Sequence, residues 1–335
     1  MNRTSRRLAV LGSALAGLLT SLLAQPAQAA APVYVALGDS YASGTGTRSY
    51  ISDGTTCQRS TKAYPSLISA AGGYALNFRA CSGAKVADVT NTQLSALTTA
   101  TTYVTVSVGG NDAGFADVLT ECAMPGWMSN CNGAITTAQG YINNTLPTQL
   151  SNLYAAIRTR APYAKVVVVG YPRIFQGEDC NALTWFSPDE ESRLNQTADL
   201  LNSRTASVAA TRGFTFANPT TAFIGHAVCD DVEYLNGLSN PISESYHPNV
   251  LGHANGYTPV VSTAVGTPLA VTASVQAASD ASGESQAALQ SQYAAADRSI
   301  EPERFVQPDL TTPEARRAAR RAGVDIDRFI ARSRR

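Results

Sequence analysis

Five short apolar, β-branched runs recur along the chain: Val33 to Leu37, Ala75 to Ala80, Tyr103 to Val108, Lys165 to Gly170 and Phe214 to Ala217. Runs that are apolar almost without interruption suit strands buried on both faces, as in a parallel sheet. Parallel neighbours require crossovers, and the intervening sequence supplies them, with helices expected over Tyr64 to Ala71, Thr136 to Arg160 and Pro188 to Arg212. Ser187-Pro188-Asp189-Glu190 is a helix start in its own right: a serine cap, proline at the first helical position and acids in the first turn. A final helix is expected from Pro248 to Val265. The alternation predicts a three-layer α/β/α domain with right-handed crossovers.

The ends of the chain read differently. Arg3, Arg6 and Arg7 precede an apolar stretch from Leu8 to about Leu23, and Ala27-Gln28-Ala29 offers small residues at signal-peptidase spacing. Residues 1–29 are therefore expected to be a secretion signal, exported by the Sec route or, given the Arg6-Arg7 pair, the twin-arginine route. The apolar stretch is short for a bilayer span and interrupted by Gly12, Ser13 and Gly17, so no transmembrane anchor is expected after processing. The folded domain is assigned to 30–266, long enough for one core of about 230 residues. From 267 to 300 the sequence is rich in Ala, Ser and Gln with few large apolar groups, which predicts a linker. Thr312-Pro313-Glu314 then restarts a helix in an arginine-rich stretch ending at Arg335, expected to be a solvated or loosely docked basic tail, part helical.

Cys57, Cys81, Cys122, Cys131, Cys180 and Cys229 all follow the signal. An even count in an exported chain predicts disulfides; there is no Cys-x-x-Cys pair and only three histidines, so metal binding is not expected. Cys122 and Cys131 are near enough to clip one loop, and the remaining pairings are open at this point. The formal net charge is zero, which with no interleaving of basic and aromatic residues argues against nucleic acid as a partner.

The chemistry centres on Gly38-Asp39-Ser40, where the first apolar run breaks at a glycine. Reactive groups in open α/β sheets collect at the carboxyl ends of strands. A serine hydroxyl needs a general base and donors for the oxyanion it generates. His226, His247 and His253 are the candidate bases; His247 lies in the polar loop Glu244-Ser245-Tyr246-His247-Pro248, whereas His253 suits a helix face and His226 a structural place near Cys229. Two glycine loops follow strands, Cys81-Ser82-Gly83 and Gly109-Gly110-Asn111-Asp112. The backbone N–H groups of Gly83 and Ser40 and the side-chain amide of Asn111 are candidate oxyanion donors. Asp39 and Asp112 are read as loop braces.

Gly38-Asp39-Ser40, Gly83, Gly109-x-Asn111-Asp112 and His247 occur in the order found in the SGNH, or GDSL, hydrolases. Over residues 33 to 265 the chain resembles their secreted actinobacterial members, which include lipases, esterases and phospholipases A. The resemblance implies a flavodoxin-like parallel sheet of about five strands, Ser40 as nucleophile and His247 as base. It also implies an oxyanion hole of Ser40 N–H, Gly83 N–H and the Asn111 amide. Cysteines joined in sequence order would pair Cys57 with Cys81, Cys122 with Cys131 and Cys180 with Cys229. Many members place an aspartate three residues before the histidine, where this chain has Glu244; others orient the ring by a backbone carbonyl, here that of Ser245. The Ser245 carbonyl is the expected partner and Glu244 the alternative.

The expected activity is two-step hydrolysis of a lipid carboxylic ester, an acylglycerol or phospholipid, at a lipid–water interface by a secreted monomer. A phosphate-cradling glycine loop is lacking, and no cofactor is expected. Loops Thr45 to Thr61, Ala113 to Asn132 and Tyr171 to Phe186 flank the crevice, and Phe115, Met124, Trp127, Met128, Trp185 and Phe186 are candidates for an acyl pocket. The rival readings are a carbohydrate or acetyl esterase, and a non-catalytic lipid- or glycan-binding module on a hydrolase fold.

Overall fold

A computed structural model describes residues 30–333. The secretion signal expected over 1–29 lies outside them. The apolar runs form strands β1 (Val33–Gly38), β2 (Ala75–Phe78), β3 (Thr101–Ser107), β4 (Lys165–Val169) and β5 (Thr215–Ala217). They make one sheet in the order β2-β1-β3-β4-β5 with every neighbouring pair parallel. This is the flavodoxin-like order, and it places a topological switch between β1 and β3, where a crevice opens beyond the carboxyl ends of the strands. The centre is apolar on both faces: Tyr34 to Leu37 and Val166 to Val169 are buried.

Short helices α1 (Ser40–Ser43) and α2 (Tyr64–Gly72) follow β1, and α3 (Val86–Asp88) follows β2. After β3 come α4 (Phe115–Cys122), α5 (Cys131–Asn144) and α6 (Leu146–Arg160); α7 (Pro188–Thr211) joins β4 to β5, and a π-helical turn (Gly252–Tyr257) runs into α8 (Thr258–Val265). Helices α2 and α8 pack together against one face of the sheet, and α6 and α7 pack together against the other. The helix expected from Thr136 to Arg160 is two, divided at Thr145, because Pro147 lacks an N–H and its ring collides with the carbonyl four residues back. The start of α7 has the Ser187–Glu190 capping box.

The stretch expected as a linker is instead folded into α9 (Ala273–Ala281), α10 (Gly283–Ser291) and α11 (Ala294–Asp297). Helix α9 packs on α2, and α10 packs beside β2, covering the exposed edge of the sheet. Its small residues bury little apolar surface, but polar pairing holds it in place. Ser279 Oγ donates to Thr61 O (2.6 Å), Ser66 Oγ to Gln286 Oε1 (3.1 Å), and Gln290 Nε2 to Asn77 Oδ1 (3.0 Å). The Asp297 carboxylate ends this segment between two buried guanidiniums, 2.6 Å from Arg59 Nη2 and 2.7 Å from Arg79 Nη2. The basic tail is docked as well. Helices α12 (Pro313–Ala322) and α13 (Ile326–Ser333) bury Ala315 and Ala319, one turn apart on α12, and Ile326 at the start of α13 against Trp127, Met128 and Trp185.

Candidate active site

Backbone geometry fixes Ser40. Gly38 has φ 132°, and a Cβ there would sit 2.3 Å from Ser107 O, so the junction requires glycine. Beyond it, Asp39 N donates to Ser107 O (2.9 Å), pinning the end of β1 to β3. Asp39 also caps α1: Oδ1 accepts from Tyr41 N (3.0 Å) and Oδ2 from Tyr171 OH (2.5 Å). Burial outweighs these bonds and pushes the Asp39 carboxyl up to about 7. Gln93 clasps the same junction from below, accepting from Gly38 N (2.8 Å) and donating to Gly38 O (2.9 Å). Ser40 is thus the first residue of α1, where N–H groups have no partner inside the helix.

His247 meets this serine from the other end of the chain. Its Nε2 lies 2.9 Å from Ser40 Oγ and its Nδ1 2.9 Å from Ser245 O. A carbonyl only accepts, so Nδ1 carries the proton and donates to Ser245 O, leaving Nε2 to accept from the Ser40 hydroxyl. Tyr246, between the two, has φ +60°, a left-handed conformation that turns the chain back on itself and brings the ring to that carbonyl. Tyr41 OH donates to Tyr246 O (2.7 Å), and the Tyr41 ring lies 5.3 Å from the His247 ring. Burial lowers the imidazolium pKa to about 4, only partly opposed by the Ser245 carbonyl. Glu244 is turned elsewhere: Oε1 accepts from Tyr50 OH (2.5 Å), and Oε2 lies 3.3 Å from Arg48 Nε.

Ser40, Gly83, Asn111, Ser245 and His247 all line one small void. Asn111 Nδ2 donates to Ala84 O (3.1 Å), which sets the plane of its amide, and Asp112 accepts from Val86 N through both oxygens (3.1 and 3.0 Å), tying the loop after β3 to the start of α3. Asp39 and Asp112 therefore brace loops. Beside Ser40 an almost wholly apolar cavity of about 70 Å³ is lined by Tyr41, Phe115, Leu119, Ile142, Tyr171 and Leu194 among others. Of the six residues expected to line an acyl pocket, Phe115 does so. Trp127, Met128 and Trp185 pack against the C-terminal helices, Phe186 packs on Phe175 (4.8 Å) and Tyr246 (5.8 Å), and Met124 lies outside the lining. The aromatic residues of these loops are spent on packing against other parts of the chain.

The other histidines do not reach Ser40. His253 is buried, its Nδ1 accepting from Tyr64 N (3.3 Å), and His226 stacks on Tyr234 at 3.8 Å. Disulfides join Cys57 to Cys81, Cys122 to Cys131 and Cys180 to Cys229, the pairs the resemblance implies. Cys180, Cys229 and Glu233 lie close together, but both sulfurs are committed to the disulfide and offer no thiolate to a metal. Sequence reasoning missed Gln93 and Tyr171. Gln93 had a findable signal, since it shares a helical face with Val86 and Val89 and is a polar residue at an apolar position; Tyr171 had none beyond following a strand.

A parallel sheet in this order, with a serine, a histidine and an asparagine at its carboxyl edge, defines a flavodoxin-like hydrolase of the SGNH class. Residues 36–254 match the GDSL-like lipase/acylhydrolase family, and the chain belongs to that family, whose members are carboxylic ester hydrolases. It is 46% identical over 253 residues to Lipase 1 of Streptomyces coelicolor, covering 75% of this chain and 92% of that one. It is 43% identical over 269 residues to a lipase of Streptomyces rimosus, covering 78% and 99%. The crystal structure of the extracellular S. rimosus lipase superposes with a TM-score of 0.66 at 44% identity, over 70% of this chain and 100% of that one. That of phospholipase A1 from Streptomyces albidoflavus gives 0.66 at 42% identity, over 70% and 99%.

Proposed function

We propose that this protein is a secreted lipid ester hydrolase that works through an acyl-enzyme on Ser40. Ser40 Oγ attacks the ester carbonyl while His247 Nε2 takes its proton; the tetrahedral oxyanion is met by Ser40 N–H, Gly83 N–H and the Asn111 amide. His247 then returns the proton to the departing alcohol. Water, deprotonated by the same nitrogen, attacks the acyl-enzyme, and collapse of the second tetrahedral intermediate releases the fatty acid and restores Ser40. The line Ser40 Oγ, His247 Nε2, Nδ1, Ser245 O, with 2.9 Å at each hydrogen bond, carries the proposal. Among the described residues no helix is long and apolar enough to cross a membrane. The three disulfides and the extracellular S. rimosus lipase support export.

An acyl chain is the substrate part that the apolar cavity beside Ser40 suits, and the lipase and phospholipase A1 relatives support a lipid over a sugar ester. Each buried methylene stabilises by roughly 0.8 kcal/mol. Across 4-nitrophenyl esters from acetate to dodecanoate, kcat/KM is expected to rise at least about tenfold by the octanoate. Acetate cleaved faster than every longer ester would instead support the carbohydrate esterase reading. A folded protein that turns over none of them, both at full length and when ended at Ile300, would support the binding module.

A further inference from the structure

The C-terminal segment that follows Asp297 lies beyond the matched family region, residues 36–254, and it crosses the candidate active site. Its coil, residues 301–309, has no regular structure. The Glu301 carbonyl oxygen and Pro302 Cα lie so close over Gly83 that a Cβ there would be 2.4 and 2.5 Å from them. Glu303 and Phe305 complete the wall of the void that Ser40, Gly83, Asn111 and His247 share, leaving about 10 Å³, room for about one water. Phe305 is buried with its ring edge-on to Tyr246 at 5.1 Å, and Glu303 Oε1 is held by Lys85 Nζ at 2.7 Å. Further along, Val306 N donates to Thr120 Oγ1 (2.9 Å), and the α13 ring of Phe329 lies 5.7 Å from both Trp127 and Trp185. The coil thus closes the groove, and α12 and α13 cover the aromatic rim beside it.

The acyl chain has the apolar cavity beside Ser40, but the ester carbonyl with its alcohol group does not fit where one water does. We propose that residues 301–333 are a built-in cover of the ester-binding face, and that substrate reaches Ser40 only when this cover is displaced or removed while the chain up to Asp297 stays in place. The division falls there because Asp297 is locked between Arg59 and Arg79, whereas residues 301–333 are attached by the Lys85 pair, the Val306 hydrogen bond and side-chain packing. Lifting the cover frees the groove and bares Trp127, Met128 and Trp185, an apolar rim of the kind a lipid surface would take up. A site that is open only part of the time binds more weakly in proportion to the open fraction.

The proposal rests on the Ser40 reading, so its test carries two readouts. The full chain is compared with a chain ending at Ile300, which keeps Asp297, and with full-length Phe305→Asp in case truncation impairs folding. The first readout is the rate of reaction with an alkyl fluorophosphonate; the second, made in a Ser40→Ala background, is binding of dansylated undecanoic acid. Labelling at least about tenfold faster and binding at least about tenfold tighter in either folded variant is the expected result. Rates and affinities within threefold of the full chain would overturn the cover. If no form is labelled at all, the nucleophile assignment fails, and the fatty-acid titration alone decides: a tenfold gain supports the cover and equality overturns it.

Discussion

His247→Ala is expected to lower kcat about 10⁴-fold or more, while Glu244→Gln leaves it within about tenfold of the parent. The contrast arises from where the two side chains point. His247 Nε2 is the acceptor for the Ser40 proton, and nothing else among the described groups sits within hydrogen-bond reach of that hydroxyl in a position to replace it. Glu244, by contrast, is spent on Tyr50 and Arg48, and the ring is held by Ser245 O. Were Glu244 the partner of Nδ1, its amide would stabilise the wrong tautomer, a change that costs about 10⁴ in a serine protease triad. Thermal unfolding of both variants separates loss of chemistry from loss of fold. The histidine must be neutral to act, and burial holds its pKa near 4, so kcat/KM is expected to persist as pH falls through 6 and to be lost only as pH falls through about 4. An acid limb centred at 6.5 would mean that the ring is solvated in the working enzyme.

The second large effect is on stability. Asp297→Asn is expected to destabilise the fold by about 3–5 kcal/mol, read by chemical denaturation, and to lower Tm by on the order of 10 °C. Asp297 Oδ2 accepts from Arg59 Nη2 (2.6 Å) and Arg79 Nη1 (3.0 Å), and Oδ1 from Arg79 Nη2 (2.7 Å). Asp53 pairs with the other side of Arg59 (2.6 Å), so two buried cations are balanced by two buried anions. An amide leaves one of those charges uncompensated where the side chains have no exposure to solvent. Arg79 already shows the strain of burial, which pulls its pKa down against the pull of Asp297. Asp309→Asn, on an exposed turn of the C-terminal coil, is the control and is expected to stay within about 0.5 kcal/mol. A change under about 1 kcal/mol at Asp297 would mean that α9 to α11 are not anchored through this group.

The catalytic half of the molecule was far easier to read from sequence than the C-terminal part, for a physical reason. Strands buried on both faces announce themselves as unbroken apolar runs, and the backbone at Gly38 tolerates no other residue, so both leave a local mark. Ser40 and His247 are 207 residues apart, and only the order of motifs suggested that they meet. Residues 267–300 misled because low hydrophobicity was equated with lack of packing. Their attachment is a few buried polar contacts, and Arg59 and Arg79, which require Asp297, look like ordinary surface arginines until the fold buries both side chains completely. Likewise the aromatic residues of the 113–132 and 171–186 loops fitted an acyl pocket on composition alone. Two of them, Trp127 and Trp185, instead carry α12 and α13 together with Met128, and the apolar residues of those helices, Ala315, Ala319, Ile326 and Phe329, are hidden among arginines.

The most direct test of the account is the mass of the intact protein, and of its peptides, after reaction with an alkyl fluorophosphonate, using the chain that ends at Ile300 alongside the full chain and Ser40→Ala. A single adduct on the peptide containing Ser40, absent from Ser40→Ala, is the predicted result. A folded, disulfide-bonded protein that takes up no adduct in either length, or carries it on a different residue, would contradict it.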